Sequence, residues 1–151
     1  MASSFILLVL SVAVLAATAL SRQAPFEQSS AWVLAMQKCK GSDTFTIHGL
    51  WPQAYYCSNT PFSESALNPI MNEMDEDWLS CPEYGGNNTK FWSHEWEKHG
   101  TCSGMGELSY FKQGLNLYTQ FVDNCSSSSS SCELCFDAYF NPVSCQELFQ
   151  F

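Results

Sequence analysis

Three histidines occur in the chain, and all of them fall in two short segments. The first is Phe45-Thr46-Ile47-His48-Gly49-Leu50-Trp51-Pro52-Gln53. The second is Phe91-Trp92-Ser93-His94-Glu95-Trp96-Glu97-Lys98-His99-Gly100-Thr101-Cys102. On a helix His94 and Lys98 are four apart, and so are Glu95 and His99, which puts all four on an arc of about 140°. Two imidazoles, one neutral and one cationic, can act as base and acid in a single reaction, and an ammonium can stabilise charge growing on phosphoryl oxygens. That set suits attack of an RNA 2′-hydroxyl on its own 3′-phosphate. One imidazole removes the hydroxyl proton and the other protonates the leaving 5′-oxygen, with no metal or cofactor required.

Other chemistries fit the same residues less well. A zinc-protease helix needs two histidines four apart with Glu after the first. Here they are five apart, and Lys98 occupies the position of the second ligand, where its charge would repel a dication. A cysteine nucleophile competes with pairing in disulfides. Cys132-Glu-Leu-Cys135 lacks a second ligand pair at zinc spacing. A histidine on a strand is commonly structural, and His94 to His99 could be a solvated charged face. Trp92 and Trp96 speak against that, because they give the same helix a packed side.

These residues must be positioned by a small number of elements. Ala31–Met36 is an apolar run that reads as a buried strand. Thr44–His48 alternates, is rich in β-branched residues and reads as a second strand. Gly49–Tyr56 carries Gly, Pro and aromatics and reads as a loop. Asn68-Pro69 reads as a helix start, with Asn as N-cap and Ile70, Met74 and Trp78 as one stripe. Pro82–Asn88 is turn-rich. A helix is expected over Lys90–His99 with Gly100 as its stop. A third is expected over Glu107–Val122, with Phe111, Leu115, Tyr118 and Val122 on one face. The six serines Ser126–Ser131 are low-complexity and expected to be flexible. Glu133–Tyr139 reads as a last strand. Strands and helices mix without βαβ alternation, so the class is α+β in a single domain.

Composition bounds the setting. Phe5–Ala19 is apolar, too short to span a bilayer and followed by polar residues, which reads as a signal peptide over residues 1–21 ahead of a domain over 22–151. Eight cysteines behind such a leader read as four disulfides. Asn87-Asn88-Thr89 and Asn124-Cys125-Ser126 are glycosylation sequons. The expected location is secreted, or a lysosome or vacuole reached by the secretory route, with no membrane attachment after cleavage. A net charge of −9 opposes nucleic-acid binding at neutral pH. Near about pH 4–5 carboxylates take up protons and histidines become cationic, so action on RNA fits an acidic compartment.

The two histidine segments closely resemble the two active-site blocks of the ribonuclease T2 family. The resemblance covers about Ala31 to Val122, with Glu133–Cys145 similar to that family's last strand and cysteine hairpin. It implies an antiparallel sheet flanked by helices and stapled by disulfides, and an endoribonuclease acting through a 2′,3′-cyclic phosphate. By position it implies His48 as general acid and His99 as general base. His94 would bind phosphate, and Glu95 and Lys98 would stabilise the transition state. Trp51 with Tyr55 or Tyr56 would hold the first base, and Phe91 would serve the second. RNA is the implied partner, and the chain is expected to act as a monomer. The implied disulfides are Cys39 with Cys81, Cys57 with Cys102 and Cys135 with Cys145, leaving Cys125 for Cys132. Within that mechanism Glu95 is expected to favour an imidazolium and Lys98 to oppose it, which places the working pH below neutrality.

The chain departs from the family pattern in three places. Gln37 runs directly into Lys38-Cys39 without the usual Trp-Pro. Gln53 stands where Asp or Asn is common. The serine run replaces a long segment ahead of the last strand, so the domain is a shortened form. Loss of core supports a second reading, a catalytically weak or inactive secreted protein with a storage or binding role.

Overall fold

The computed structural model describes residues 31–148, and the leader expected over residues 1–21 lies outside them. Strands β1 (Ala31–Lys38) and β2 (Phe45–Pro52) are followed by helices α1 (Met71–Asp77), α2 (Asn88–Lys98) and α3 (Glu107–Phe121). Strands β3 (Ser131–Asp137) and β4 (Pro142–Val143) and a short helix α4 (Cys145–Leu148) complete the chain. The sheet order is β2-β1-β3-β4, antiparallel throughout. The expected α+β class with an antiparallel sheet is what the structure has.

β1 is central and buried on both faces, as its unbroken apolar run requires. Trp32, Leu34 and Met36 enter a core shared with Phe45, Ile47 and Leu50 of β2, the stripe Ile70, Met74 and Trp78, and Trp92 and Trp96 of α2. From α3, Phe111, Leu115 and Tyr118 join it as expected, and so do Tyr110 and Leu117, a wider face than one stripe. No strand lies on the outer side of β2 among the described residues. Side chains serve that edge instead. Tyr118 Oη donates to the Phe45 carbonyl, Trp78 Nε1 to that of His48 and Tyr110 Oη to that of Leu50. An edge satisfied by buried donors is closed to pairing with another chain.

Four disulfides pair all eight cysteines: Cys39–Cys81, Cys57–Cys102, Cys125–Cys132 and Cys135–Cys145. These are the expected pairings, including the one reached by remainder.

Several local expectations need correction. β2 continues through Gly49 to Pro52, where a loop was expected, because β1 offers a full ladder up to Trp32↔Pro52. Asn68 is not a helix cap. A 3-10 segment already runs Glu64–Ile70 with Pro69 inside it, and α1 starts at Met71 behind Ile70. The N-cap signal belongs instead to Asn87, whose side-chain oxygen accepts from the Lys90 amide at the start of α2. Gly100 does not end α2 in a left-handed turn. It opens a 3-10 turn, Gly100–Cys102, and is glycine because a Cβ there would run into the Trp96 ring. The serine run forms a turn closed by Cys125–Cys132, and Ser127 and Ser130 carbonyls accept from Lys38 Nζ and the Lys38 amide, so it is tied to the end of β1. Glu133–Tyr139 is not the last strand, since β3 ends at Asp137 and β4 follows it.

Candidate active site

His48 owes its position to an irregularity in β2. Ala35 pairs with Gly49 and Met36 with Ile47, leaving His48 as the extra residue of a β-bulge. The burial parity records the slip: Phe45 and Ile47 face the core before it and Leu50 after it. A bulge bends its strand and re-aims one side chain, and here that side chain is an imidazole. The His48 ring meets Trp51 edge-on at 5.4 Å and Phe91 at 5.5 Å between centroids. Its Nδ1 lies 3.0 Å from Gln37 Oε1 on β1.

The second group comes from α2 and its end. The arc of four residues is not a solvated face. His94 is exposed and Lys98 half-buried, while Glu95 and His99 are buried to within 2% of full exclusion. The helix turns inward because Trp92 and Trp96 on neighbouring rows are core residues, with Trp92 Nε1 donating to the Trp78 carbonyl and Trp96 Nε1 to that of Thr60. Glu95 Oε2 accepts from Trp51 Nε1 at 2.9 Å. Gly49 makes that contact possible, because a Cβ there would overlap both the carboxylate and the indole nitrogen.

Trp51 therefore ties the two segments together. Its indole, fixed by Glu95, stacks on the His99 ring at 5.3 Å and 25° while its edge meets His48. Tyr55 meets His99 edge-on at 5.2 Å, with Lys98 Nζ 5.8 Å from the centre of the Tyr55 ring. Tyr56 is exposed, holds a left-handed backbone (φ 54°) and donates its amide to the Lys98 carbonyl. Of the two tyrosines, it is Tyr55 that touches His99. Phe91 helps line a cavity of about 220 Å³ beside His48, together with Gln37, Ser80, Cys81 and Tyr84. Gln37, Ser80 and Tyr84 were not singled out from sequence. Only Gln37 left a trace there, as the polar residue ending an apolar strand.

Burial and like charge set the protonation states. His99 is pushed down to about 3 by burial, with Lys98, His94 and His48 adding repulsion. Its Nδ1 is buried with no hydrogen-bond partner among the described residues, which further disfavours the cation. His48 is lowered from the usual 6.5 by burial first, then by Lys98 and His94. Glu95 is pushed up to about 7 by burial, against the opposing pull of the Trp51 hydrogen bond and Lys98. The expectation that Glu95 favours an imidazolium is corrected here. Buried and itself biased toward the neutral acid, Glu95 is not a standing negative charge beside the histidines, and Lys98 and His94 oppose protonation of both. Among the described residues no group of three or more His, Cys, Asp or Glu side chains is placed to hold a metal ion.

An edge strand and a helix end thus bring two imidazoles against one indole, in a disulfide-linked α+β domain. The profile of the Ribonuclease T2 family matches residues 23–141, and the chain belongs to that family. It is 41% identical over 92 residues to ribonuclease DdI of Dictyostelium discoideum and 40% identical over 93 residues to extracellular ribonuclease LE of Solanum lycopersicum. Each match covers 54% of this chain and 40% of the relative, so the chain spans well under two thirds of their length. Among solved structures, ribonuclease MC1 from bitter gourd seeds superposes with a TM-score of 0.56 at 30% identity, covering 60% of this chain and 58% of that one. Human RNase T2 shares the fold at a TM-score of 0.66 and 21% identity, over 78% of this chain and 91% of that one.

Proposed function

We propose that this protein is an endoribonuclease that cleaves single-stranded RNA by metal-independent transesterification through a 2′,3′-cyclic phosphate. The observation that carries the reading is the pairing of His48 and His99 around Trp51, with Lys98 and His94 acting on both. His99, held neutral, is the general base for the 2′-hydroxyl. His48, the less depressed of the two, is the general acid that protonates the 5′-oxygen. His94 and Lys98 bind the phosphate and stabilise the charge that develops on it. Glu95 contributes by accepting from Trp51 Nε1 and so fixing the indole. Trp51 with Tyr55 and Tyr56 receives the first base, and Phe91 with its cavity the second. Substituted forms of ribonuclease MC1 have been solved in complex with 5′-GMP and with 5′-UMP, nucleotides of the kind such sites would hold.

The partner is RNA alone, the acting species a monomer, and the location secreted or lysosomal or vacuolar after removal of residues 1–21. Relatives include ribonucleases named extracellular and intracellular, and no helix among the described residues is long and apolar enough to cross a membrane. Incubation of purified protein with single-stranded RNA in excess EDTA tests the mechanism. The expected products carry 2′,3′-cyclic phosphate ends at an undiminished rate. Loss of activity restored by zinc or magnesium would contradict it.

A further inference from the structure

Gln37 lines the cavity beside His48 but has no part in the proton transfers above, yet its backbone and its contact to His48 are well anchored. Its backbone is laddered on both sides, to Thr46 of β2 and Ser131 of β3. Two residues on, Cys39 is bonded to Cys81. Opposite it, His48 is fixed at its carbonyl by Trp78 Nε1, and its ring makes T-shaped contacts with Trp51 and Phe91. Between these anchors Gln37 Oε1 and His48 Nδ1 are 3.0 Å apart.

We propose that Gln37 is a positioning residue that sets the tautomer of His48, accepting from Nδ1–H so that Nε2 is the nitrogen that gives and takes protons. A side-chain carbonyl can only accept, so the neutral ring facing it carries its proton on Nδ1. Gln37 therefore matters unequally in the two halves of the reaction read above, on which this inference rests. During transesterification His48 is an imidazolium with protons on both nitrogens. It gives the Nε2 proton to the departing 5′-oxygen and is left directly as the Nδ1–H tautomer. During hydrolysis of the cyclic phosphate the neutral ring must accept at Nε2. A water oxygen attacks phosphorus, its proton passes to His48 Nε2, the bond from phosphorus to the 2′-oxygen breaks, and His99 returns its proton to that oxygen. A ring free to place its proton on Nε2 cannot take the water proton.

The test compares wild type with Gln37→Leu, which lacks an acceptor, and Gln37→Glu, which restores one. In nitrogen-15 NMR of the unliganded proteins above the His48 titration, wild type and Gln37→Glu should show the Nδ1–H tautomer, and Gln37→Leu a mixture. With 2′,3′-cyclic mononucleotide as substrate, Gln37→Leu should slow hydrolysis by about tenfold, the weight of one hydrogen bond, and Gln37→Glu should recover most of it. On RNA, Gln37→Leu should release an excess of cyclic phosphate ends over linear ones. An Nε2–H tautomer in wild type would overturn the inference. So would unchanged hydrolysis of the cyclic mononucleotide, the outcome if Gln37 only lined a cavity for a second base, since that substrate has none. Failure of the ribonuclease reading shows separately, as wild type inert on RNA, and the NMR result then still decides the role of Gln37.

Discussion

Two regions of the molecule contrast in what they carry. Residues from Ala31 to Cys102 hold every proposed catalytic and base-binding side chain, and two disulfides cross this region with sequence separations of 42 and 45. The region from Cys125 to Leu148 holds none of them, and its disulfides close separations of 7 and 10. Yet β3 runs the length of β1 and buries Phe136 in the core. The later region completes the sheet, while the earlier one shapes the site. A shortened chain can therefore keep its catalytic geometry provided that a strand still covers the second edge of β1.

The largest expected effect lies in the earlier region. His48→Ala and His99→Ala should each lower turnover on RNA by roughly two to four orders of magnitude, the range for loss of a general acid or base. Far-UV circular dichroism should be unchanged, since neither ring belongs to the apolar core. Near-wild-type turnover in either variant would remove the role assigned to that residue.

Disulfide removal sharpens the contrast in stability. In the chain-entropy picture, paired alanine substitution of Cys57 and Cys102 should cost about 4 kcal/mol, and the same change at Cys125 and Cys132 about 2.5 kcal/mol. Urea melts give both values. Ribonuclease assays should show activity reduced only in the first variant, whose opened loop carries His94, Glu95, Lys98 and His99. Equal losses of activity would mean that the later region shapes the site directly.

A smaller effect is expected at Glu95. Its carboxyl is raised from 4.5 to about 7, so its contribution to folding is fully present below 4.5 and is lost as pH rises through about 7. Glu95→Gln keeps an acceptor for Trp51 Nε1 and removes the titration. It should raise the Tm at neutral pH and above relative to wild type, with the difference vanishing near about pH 4. A Tm difference independent of pH would show that folding leaves the Glu95 carboxyl at its ordinary pKa.

The same regional split governs what could be read from sequence. Strand β1 is legible as an unbroken apolar run buried on both faces, while the core stripes of α1 and α3 and the helix bearing His94 to His99 follow from helical spacing. The extension of β2 past His48 was hidden, since Gly49 and Pro52 are loop residues unless a partner strand supplies a ladder. The bulge at His48 depends on which residue of β1 faces which of β2, a register that no local pattern records. Spacing on α2 brought Glu95 and His99 to one arc, but only packing shows that this arc turns inward. That burial keeps His99 neutral and biases Glu95 toward the neutral acid, which removes the role expected for Glu95. Gln37 was visible only as the end of an apolar run.

The central claim is that environment divides the labour, keeping His99 neutral as base and leaving His48 to serve as acid. Its most direct test is kcat/KM on single-stranded RNA across about pH 3 to 9, with single-stranded DNA alongside. His99 must be unprotonated, so the acid limb should fall near the value of about 3 to which burial lowers it. His48 must be protonated, so the alkaline limb should lie below the ordinary 6.5. The account predicts a bell with its maximum between these limbs and no cleavage of DNA, which lacks the attacking 2′-hydroxyl. A maximum above about pH 8, or DNA cut at a comparable rate, would contradict the assignment of nucleophile, acid and base.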